Sequence, residues 1–339
     1  MTTARDLCPA ADVRELRVPG TALHAFVAID DERLGPAFGG CRFRPYDSID
    51  AARTDALRLA GGMTLKNALA GIPFGGGKAV IMEPRGPYDR DALFAAFGRE
   101  IDALGGRYVT AMDSGTTTTD MDTIARHTRF VSGRTGVEGD PSPYTAHGVY
   151  RGIEIALGRS GATLDGARIA IQGVGHVGAA LARRLANAGA TLVIADPVAA
   201  RAESVATATG ARIVTPDELL ATPCDVLAPC GLGGILNADT IGTLDCRIVA
   251  GAANNQLATP EIAAALAARG ILYVPDFLLN AGGVIHAALA WADGSEAEIC
   301  ARVDRIGETV AEVLEQAESR GERPLDVAHT LAERRLAST

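Results

Sequence analysis

A glycine-rich turn in the second half of the chain has the spacing of a dinucleotide-binding site. The turn consists of Gly173, Val174, Gly175, His176, Val177 and Gly178. The first glycine permits a tight turn, the second lets the backbone approach a pyrophosphate, and the third allows a helix to pack closely on the preceding strand. Because the start of that helix presents N–H groups and a positive dipole, the motif predicts a bound dinucleotide, the alternative being a plain glycine turn.

Asp196 ends the next predicted strand, where it is placed to select between dinucleotides. A carboxylate at this point accepts a hydrogen bond from a ribose 2′-hydroxyl and repels a 2′-phosphate. We therefore expect NAD rather than NADP. His176, inside the turn, is expected to begin the helix rather than to act as a catalyst.

Lys66 lies in a segment, residues 48–70, that is predicted to form a helix with Ser48 as its cap. Small and apolar residues recur there with helical spacing, at Ala52, Ala56, Leu59, Met63 and Ala70. Lys66 continues this stripe, so its ammonium is expected on the apolar side of the helix. The alternative is a lysine whose chain reaches back to the surface.

Lys78 follows three glycines, Gly75–Gly77, and precedes the apolar segment Ala79–Met82. The glycines remove bulk around the ammonium and bring backbone close to it. Burial and a second nearby cation both lower a lysine pKa, which would make a neutral amine available as a base. An exposed lysine after a flexible turn is the alternative interpretation.

Asp113 ends the predicted strand Tyr108–Met112 and precedes a segment rich in turn-forming residues. Ligands of open α/β sheets bind at the carboxyl ends of strands, which favours a role in chemistry. The alternative is a cap for the following helix, although Thr118 or Thr119 is expected to cap it. Asp120 and Asp122 are interpreted as charges at the helix start.

Three asparagines also follow predicted strand ends. Asn254 and Asn255 follow the segment RIVAGAA, and Asn280 precedes Ala-Gly-Gly. Each is a candidate for the cofactor cleft or for helix capping.

The alternation of elements predicts the fold class. In the second half, short apolar strands alternate with helices, which indicates a parallel sheet covered on both faces. These strands are predicted at 168–172, 191–196, 211–214, 225–228, 247–250 and 271–274. The first half is also mixed α/β, with strands at 22–30, 79–82 and 108–112. We expect a substrate and oligomerisation domain over 1–135, a Rossmann-type doubly wound NAD domain over 136–304, and C-terminal helices over 305–339 that return toward the first domain.

Composition excludes several classes of protein. The chain has 339 residues, 47% of them apolar, and a net charge of −9, which is globular and unlike a nucleic-acid-binding protein. The cysteines at 8, 41, 224, 230, 246 and 300 show no metal or CxxC spacing, and so are expected to be free thiols in a reducing cytoplasm. No signal peptide or membrane-spanning run is found, and no metal is expected.

Taken together, these segments resemble the leucine/phenylalanine/valine dehydrogenase branch of the amino acid dehydrogenases, which is related to glutamate dehydrogenase. The matching segments are FGGCRF (38–43), GGMTLKNALAGIPFGGGKAVI (61–81), YVTAMDSGTT (108–117), SPYTAHGVYRG (142–152), GVGHVG (173–178), CDVLAPCGLGG (224–234), VAGAANNQL (249–257) and YVPDFLLNAGGVI (273–285).

The resemblance implies NAD-dependent oxidative deamination in a cleft between two domains. It implies that Lys66 binds the substrate carboxylate, Lys78 activates the water that attacks the imino acid, and Asp113 handles the amino group and protons. It adds Asn255 and the backbone of Gly39 and Gly40 for substrate and nicotinamide. Thr145, Ala253, Asn254 and Asn280 join the cofactor site, and the side-chain pocket is formed by Phe38, Ala111, Val284 and Ala287.

Some positions differ from the pattern of this family. Gly77, Gly178 and Gly231 stand where alanine is common, and Met112 and Ser114 replace an acidic and an apolar residue beside Asp113. A hydrophobic substrate of the leucine or valine type is favoured, with phenylalanine or tryptophan as the alternative. Phe38 occupies the place of a lysine that glutamate enzymes use for the side-chain carboxylate, which argues against glutamate. A non-catalytic NAD-binding protein need not keep Lys66, Lys78 and Asp113 together. A homo-oligomer is expected.

Overall fold

The computed structural model describes residues 11–338, and its contacts separate them into two compact units. The first unit contains the described residues up to Asp140, Val284–Ile299, and the described residues from Ala332 onward. The second contains Pro141–Gly283 and Cys300–Leu331. Residues 284–299 were expected in the NAD domain but belong to the first unit, and of the C-terminal helices expected to return toward the first domain only the described residues from Ala332 onward belong to it.

Side-chain contacts explain why residues 284–299 belong to the first unit. The Trp291 indole N–H donates to the Arg129 carbonyl at 2.9 Å, and its ring lies 6.0 Å from the ring of Phe74. At the end of the chain, Arg335 donates to the Leu69 carbonyl at 2.7 Å. A cation at the last carbonyls of a helix is a favourable partner for its dipole.

The first unit contains a five-stranded sheet in the order β1-β2-β4-β3-β5. Its strands are β1 (Asp12–Val18), β2 (Leu23–Asp31), β3 (Ala37–Arg44), β4 (Gly75–Met82) and β5 (Tyr108–Met112). Its helices are α1 (Ile49–Ala70), α2 (Arg90–Asp102) and α3 (Thr118–Ala125). Strand β3 is parallel to both β4 and β5, so these three strands present their carboxyl ends at one edge.

Helix α1 begins at the predicted Ser48 cap, whose side chain accepts the Ala51 N–H. Ala52, Ala56 and Ala70 of the predicted stripe are buried. Its other members, Leu59, Met63 and Lys66, are only half-buried, and the neighbouring Ala60, Thr64 and Asn67 are buried instead. The reason is close packing of the helix on β4. A β-carbon on Gly76 would lie 2.0 Å from Thr64 Oγ1, so only small side chains fit between helix and sheet.

The second unit contains a six-stranded parallel sheet in the order β11-β10-β9-β6-β7-β8. Its strands are β6 (Arg168–Gln172), β7 (Thr191–Ala195), β8 (Arg212–Ile213), β9 (Cys224–Pro229), β10 (Cys246–Val249) and β11 (Leu272–Tyr273). The helices around them are α4 (Ser142–Arg159), α5 (His176–Asn187), α6 (Ala199–Thr209), α7 (Pro216–Leu220), α8 (Glu261–Ala268) and α9 (Asp276–Leu279). The chain ends with α10 (Gly282–Trp291), α11 (Glu296–Arg320) and α12 (Pro324–Ala337).

The strand order of the second unit is that of a doubly wound dinucleotide-binding fold, which confirms the predicted fold class. The order reverses between β6 and β9, and this is the point where such sheets bind their ligands. All nine predicted strands are present, while β1 and β3 had not been predicted. No helix among the described residues is long and apolar enough to cross a membrane.

Candidate functional site

Lys78 and Asp113 form an ion pair inside the first unit. The Lys78 Nζ atom lies 2.9 Å from Asp113 Oδ2, and the two side chains are only 8% and 20% exposed. Burial raises the pKa of Asp113, but the nearby Lys78 ammonium and Arg42 guanidinium outweigh it and lower the pKa to about 2. The pair therefore holds an ionised carboxylate against an amine in a site largely shielded from water.

The three glycines before Lys78 are part of a strand, so the alternative of a flexible turn is wrong. Gly75 to Gly77 belong to β4, and Lys78 is buried within the same strand. A β-carbon on Gly77 would lie 2.9 Å from the ring of Tyr108. Just before the lysine, Gly76 thus allows α1 to approach one face of β4, and Gly77 allows the buried Tyr108 ring to approach the other.

Asp113 does not cap α3, and neither does Thr118 nor Thr119. Thr117 is the cap, and it forms a reciprocal capping box with Asp120. The Thr116 hydroxyl accepts the Asp113 N–H at 2.9 Å, which fixes the loop after β5. The capping alternative for Asp113 is therefore wrong, and its carboxylate is available for the contact with Lys78.

The loop after Asp113 is also held from α2. Arg90 donates two hydrogen bonds to the Asp120 carboxylate and one to the Gly115 carbonyl, each 2.8 Å long. Asp122 accepts the Thr135 N–H at 2.9 Å. The two aspartates at the helix start thus have structural partners, in line with their interpretation from the sequence.

Arg42 is a site residue that the sequence interpretation missed. Its Nε atom lies 3.3 Å from Asp113 Oδ2, the same oxygen that Lys78 contacts. Its NH1 atom donates to Asp55 Oδ2 at 3.1 Å. Phe38, Gly40 and Arg42 alternate along β3, so Arg42 shares a face with two predicted site residues, but this signal depends on a strand that the sequence interpretation did not predict.

Gly39 and Gly40 are packed against the chain segments that carry the ion pair. The buried Tyr108 hydroxyl donates to the Gly39 carbonyl at 2.7 Å. A β-carbon on Gly39 would lie 2.0 Å from the Gly77 carbonyl oxygen, and one on Gly40 would lie 2.8 Å from the β-carbon of Asp113. Both positions therefore require glycine.

Lys66 lies at the half-buried edge of α1, next to the buried Asn67. The Asn67 side-chain amide donates to the carbonyls of Phe38 and Gly75, at 3.2 and 2.6 Å. This ties the helix turn that carries Lys66 to the start of β3 and β4. The role of Lys66 toward a carboxylate remains a prediction.

The four residues predicted to form the side-chain pocket all belong to the first unit. Phe38 and Ala111 are buried, while Val284 and Ala287 on α10 are half-buried. The Phe38 ring packs edge-on against Phe74 at 5.4 Å.

Ser132 connects α10 to β5. It donates its N–H to the Thr110 carbonyl at 2.8 Å and its hydroxyl to the Ala287 carbonyl at 3.0 Å. Ala287 is therefore held at a fixed place relative to the strand that carries Ala111.

In the second unit, the glycine turn has the geometry that its spacing predicts. Gly173 has φ +88°, and a β-carbon on Gly178 would lie 2.0 Å from the Gly173 carbonyl oxygen. A β-carbon on Gly175 would meet nothing within 4 Å among the described residues. Helix α5 begins at His176, as predicted, with no side-chain cap from the described chain. Its first N–H groups and the open space at Gly175 fit the pyrophosphate of a dinucleotide.

Asp196 is tied to this turn. Its Oδ2 atom accepts the Val174 N–H at 2.9 Å, and its Oδ1 atom accepts the Val198 N–H at 2.8 Å. The carboxylate therefore holds β7 to the glycine turn, and its remaining lone pairs suit a ribose hydroxyl.

The predicted asparagines lie after the strands on the other side of the switch point. The Asn280 side-chain amide donates to Asn254 Oδ1 at 2.8 Å, and Asn255 has a left-handed φ of +53°. Helix α8 is preceded by Pro260, so neither Asn254 nor Asn255 caps it, whereas Asn280 is the C-terminal cap of α9.

Two further predicted cofactor residues lie in the second unit. The Ala253 N–H donates to the Pro229 carbonyl at 2.9 Å, which places Ala253 beside the end of β9. A β-carbon on Gly283 would lie 2.7 Å from Thr145 Oγ1 on α4.

The described cysteines form no disulfide, and Cys8 lies outside the described residues. Within residues 11–338, no group of three or more His, Cys, Asp or Glu side chains is arranged to hold a metal ion.

Comparison with known proteins identifies the family. Residues 14–130 match the Glu/Leu/Phe/Val dehydrogenase dimerisation domain, and residues 195–339 match the Glutamate/Leucine/Phenylalanine/Valine dehydrogenase domain. Residues 150–232 also match the NAD binding domain of D-isomer specific 2-hydroxyacid dehydrogenases.

Individual relatives match along almost the whole chain. Leucine dehydrogenase of Bacillus cereus is 43% identical over 323 residues, covering 94% of this chain and 88% of that protein. Valine dehydrogenase of Streptomyces coelicolor is 42% identical over 331 residues, covering 94% and 89%. The crystal structure of L-tryptophan dehydrogenase from Nostoc punctiforme superposes with a TM-score of 0.87 at 39% identity, covering 99% and 98%. The chain therefore belongs to the Glu/Leu/Phe/Val dehydrogenase family, as the motifs in its sequence indicate.

Proposed function

We propose that this enzyme catalyses the NAD-dependent, reversible oxidative deamination of a hydrophobic L-amino acid to the 2-oxo acid and ammonia. The observation that carries the proposal is the buried ion pair between Lys78 and Asp113, 2.9 Å apart. Paired with Lys66 on α1, these groups supply two cations and one anion, which match a carboxylate, an amino group and a reacting water.

Each polar group has a distinct task in this proposal. Lys66 binds the substrate carboxylate throughout the reaction. Asp113 accepts a hydrogen bond from the substrate amino group and receives or returns its protons. Lys78 removes a proton from the water that attacks the imino carbon, so that ammonia leaves and the 2-oxo acid forms. The Gly39 and Gly40 backbone and Asn255 complete the contacts with substrate and nicotinamide.

The cofactor we propose is NAD rather than NADP. Support comes from the open, uncapped start of α5 and from the Asp196 carboxylate at the end of the next strand. NAD bound there would supply the acceptor for the hydride that leaves the substrate α-carbon. The glycine turn from Gly173 to Gly178 and residues Thr145, Ala253, Asn254 and Asn280 are proposed to hold the dinucleotide.

The substrate class follows from the four pocket residues. Phe38, Ala111, Val284 and Ala287 carry no charge, so a charged side chain buried among them would cost several kcal/mol. We propose a leucine or valine type of substrate, in agreement with the names of the leucine and valine dehydrogenases. A tryptophan or phenylalanine substrate is the second candidate, favoured by the likeness to L-tryptophan dehydrogenase.

We propose further that the enzyme is a cytoplasmic homo-oligomer. The oligomer is supported by the match to a dimerisation domain, and the location by cysteines that remain unbridged among the described residues.

One assay tests the proposal. Purified protein is incubated with NAD and each of L-valine, L-leucine, L-isoleucine, L-phenylalanine, L-tryptophan and L-glutamate, and formation of NADH is followed by absorbance. We expect the highest kcat/KM with an aliphatic substrate. Binding of NADH without turnover of any amino acid would instead identify a non-catalytic NAD-binding protein.

A further inference from the structure

The Asp113 carboxylate is contacted by two cations that reach the same oxygen. Lys78 Nζ lies 2.9 Å and Arg42 Nε 3.3 Å from Oδ2. The function proposed above assigns a role to Lys78 but none to Arg42. A lysine that acts as a base changes its charge during turnover, whereas an arginine stays charged at any working pH.

Arg42 is itself held at its other end. Its NH1 atom donates to Asp55 Oδ2 at 3.1 Å, and the Tyr46 hydroxyl donates to the same oxygen at 2.7 Å. The more exposed Arg58 donates to Asp55 Oδ1 at 2.9 Å. The Arg42 guanidinium therefore spans two carboxylates, one on α1 and one at the end of β5, and Asp55 fixes the direction in which it points.

The electrostatic balance agrees with a permanent cation at this place. Burial lowers the pKa of Arg42, but the carboxylates of Asp113 and Asp55 outweigh burial and raise it. Both Arg42 and Asp55 have side chains that are only 15% exposed, so solvent weakens their attraction less than at the surface.

We propose that Arg42 is a positioning residue that keeps Asp113 ionised and correctly oriented while Lys78 exchanges its proton. The inference rests on the proposed function, because it concerns the same ion pair. When Lys78 is neutral, Asp113 would otherwise be a partly buried carboxylate without a cation, and such a group tends to take up a proton. Arg42 prevents this and leaves Asp113 able to accept from the substrate amino group.

Arg42 also affects how firmly the pair retains its proton. A second cation at Oδ2 competes with Lys78 for the same negative charge. Without Arg42, the Lys78–Asp113 pair holds its proton more tightly, so activity should appear only at higher pH. The charged or titratable groups around Asp113 that enter this balance are Lys78 on β4, Arg42 and Cys41 on β3, Tyr108 on β5, Asp120 on α3, and Asp55 behind Arg42 on α1.

The test compares Arg42→Gln, Arg42→Lys and the matched control Arg58→Gln, which removes the other arginine from Asp55 without touching Asp113. Values of kcat, KM and their pH profiles are measured for each variant and for the wild type. Arg42→Gln should lower kcat by roughly 10–100-fold, by analogy with groups that orient metal ligands. The acid limb of its kcat/KM profile should move to higher pH, and Arg42→Lys should restore part of both effects. Arg58→Gln should keep the wild-type profile.

An acid limb at the wild-type pH in a folded Arg42→Gln enzyme would overturn the proposal, as would an equal loss of kcat in Arg42→Gln and Arg58→Gln without a pH shift. A double-mutant cycle with Asp113→Asn, read by thermal unfolding, provides a measurement that needs no turnover. Non-additive changes in Tm support the Arg42–Asp113 contact, and additive changes contradict it. An inactive wild type would refute the proposed function and with it the catalytic role of Arg42, whereas additive Tm changes in an active enzyme would refute the Arg42–Asp113 contact alone.

Discussion

Gly40 lies directly against Asp113, because a β-carbon on Gly40 would be 2.8 Å from the β-carbon of Asp113 and 2.7 Å from the Met112 carbonyl oxygen. Asp113 can occupy its place beside β3 because Gly40 has no side chain. Helix α1 contains a contrasting glycine: a β-carbon on Gly62 would meet nothing within 4 Å among the described residues.

Gly40→Ala should therefore reduce both turnover and stability, because the added methyl group also meets the backbone oxygen of Met112. The added methyl group displaces Asp113 from Lys78, and a displacement of about 1 Å can cost up to roughly 100-fold in rate. Gly62→Ala is the control, which should leave kcat unchanged and stabilise α1 by about 0.5–1 kcal/mol. Both variants are compared by kcat and by urea unfolding. Full activity in Gly40→Ala would mean that the position of Asp113 is not set by β3.

Lys78, Asp113 and Lys66 should give different kinetic defects. In the proposed function Lys78 and Asp113 both move protons, so Lys78→Ala and Asp113→Asn should each lower kcat by about 10²–10⁴-fold. If Lys66 binds the carboxylate in ground and transition states alike, as proposed, Lys66→Ala should raise KM with a smaller change in kcat. Steady-state kinetics with NAD at saturation separate these effects.

Binding of NADH, followed by its fluorescence, is the control for folding in all three variants. A correctly folded Lys78→Ala enzyme with near-normal kcat would show that another group activates the water. A change in kcat without a change in KM for Lys66→Ala would refute the proposal that Lys66 binds the substrate carboxylate.

The ionised state of Asp113 should contribute to stability above its unfolded pKa. Its pKa is lowered from 3.8 to about 2 in the folded protein, so the contribution is complete well above pH 4 and is lost as the pH falls toward 2. Linkage gives about 2 kcal/mol at neutral pH, of which roughly half is lost by pH 3. The difference in unfolding free energy between wild type and Asp113→Asn should accordingly be smaller at pH 3 than at pH 6. An equal difference at both pH values would contradict the lowered pKa.

The sequence predicted the elements with clear patterns and missed those governed by tertiary contacts. Strand β6, helix α5 and the turn between them follow from an apolar run, a glycine spacing and a helical composition. Strand β3 was missed because Gly39 and Gly40 indicate a turn when considered alone. Their strand geometry depends on Tyr108, whose hydroxyl binds the Gly39 carbonyl from another strand.

The candidate site shows the same division. Lys78 and Asp113 were predicted from their neighbours in sequence, and they lie together in the structure. Arg42 was missed, because its importance comes from two carboxylates that only the folded sheet and helix bring to it. Part of the buried face of α1 was predicted wrongly, because a hydrophobic pattern does not identify Thr64 and Asn67. These two side chains are buried through their small size and their hydrogen bonds.

Asp196 should decide between NAD and NADP, and two variants separate the effect of its charge from the effect of its hydrogen bond to the glycine turn. Asp196→Asn keeps an oxygen for the Val174 N–H but loses the charge and the acceptor for the Val198 N–H. Discrimination against NADP should therefore fall while the contact with the glycine turn is preserved. Asp196→Ala also leaves that N–H without its partner, and a lost hydrogen bond to a charged group weakens binding of both dinucleotides by roughly 10–100-fold. Dissociation constants for NADH and NADPH are measured by fluorescence. A wild-type enzyme that already uses both dinucleotides equally would refute the assignment.

The last prediction concerns the size of the substrate side chain, which we expect Ala111 and Ala287 to control. Ala111 is buried on β5, while Ala287 on α10 is half-buried and fixed through Ser132. In the proposed pocket, the bulk of Phe38 offsets the space that the small Ala287 leaves, so we expect leucine, valine and isoleucine to be preferred over phenylalanine and tryptophan. Discrimination within the aliphatic set should be broad, because each methylene that fits contributes only about 1–3 kcal/mol.

Two substitutions test this geometry. Ala111→Gly enlarges the pocket and should raise kcat/KM for phenylalanine relative to leucine, whereas Ala287→Val narrows it and should lower the relative value for both aromatic substrates. Ala125 at the end of α3 packs against the core of the first unit. Ala125→Gly is therefore the control, which should leave the ratios of kcat/KM between substrates unchanged even if stability falls. A wild-type preference for tryptophan or phenylalanine would show that the space at Ala287 outweighs the bulk of Phe38. A preference for glutamate would contradict the proposed uncharged pocket. The side-chain carboxylate of glutamate needs a cation, and none is provided by Phe38, Ala111, Val284 and Ala287.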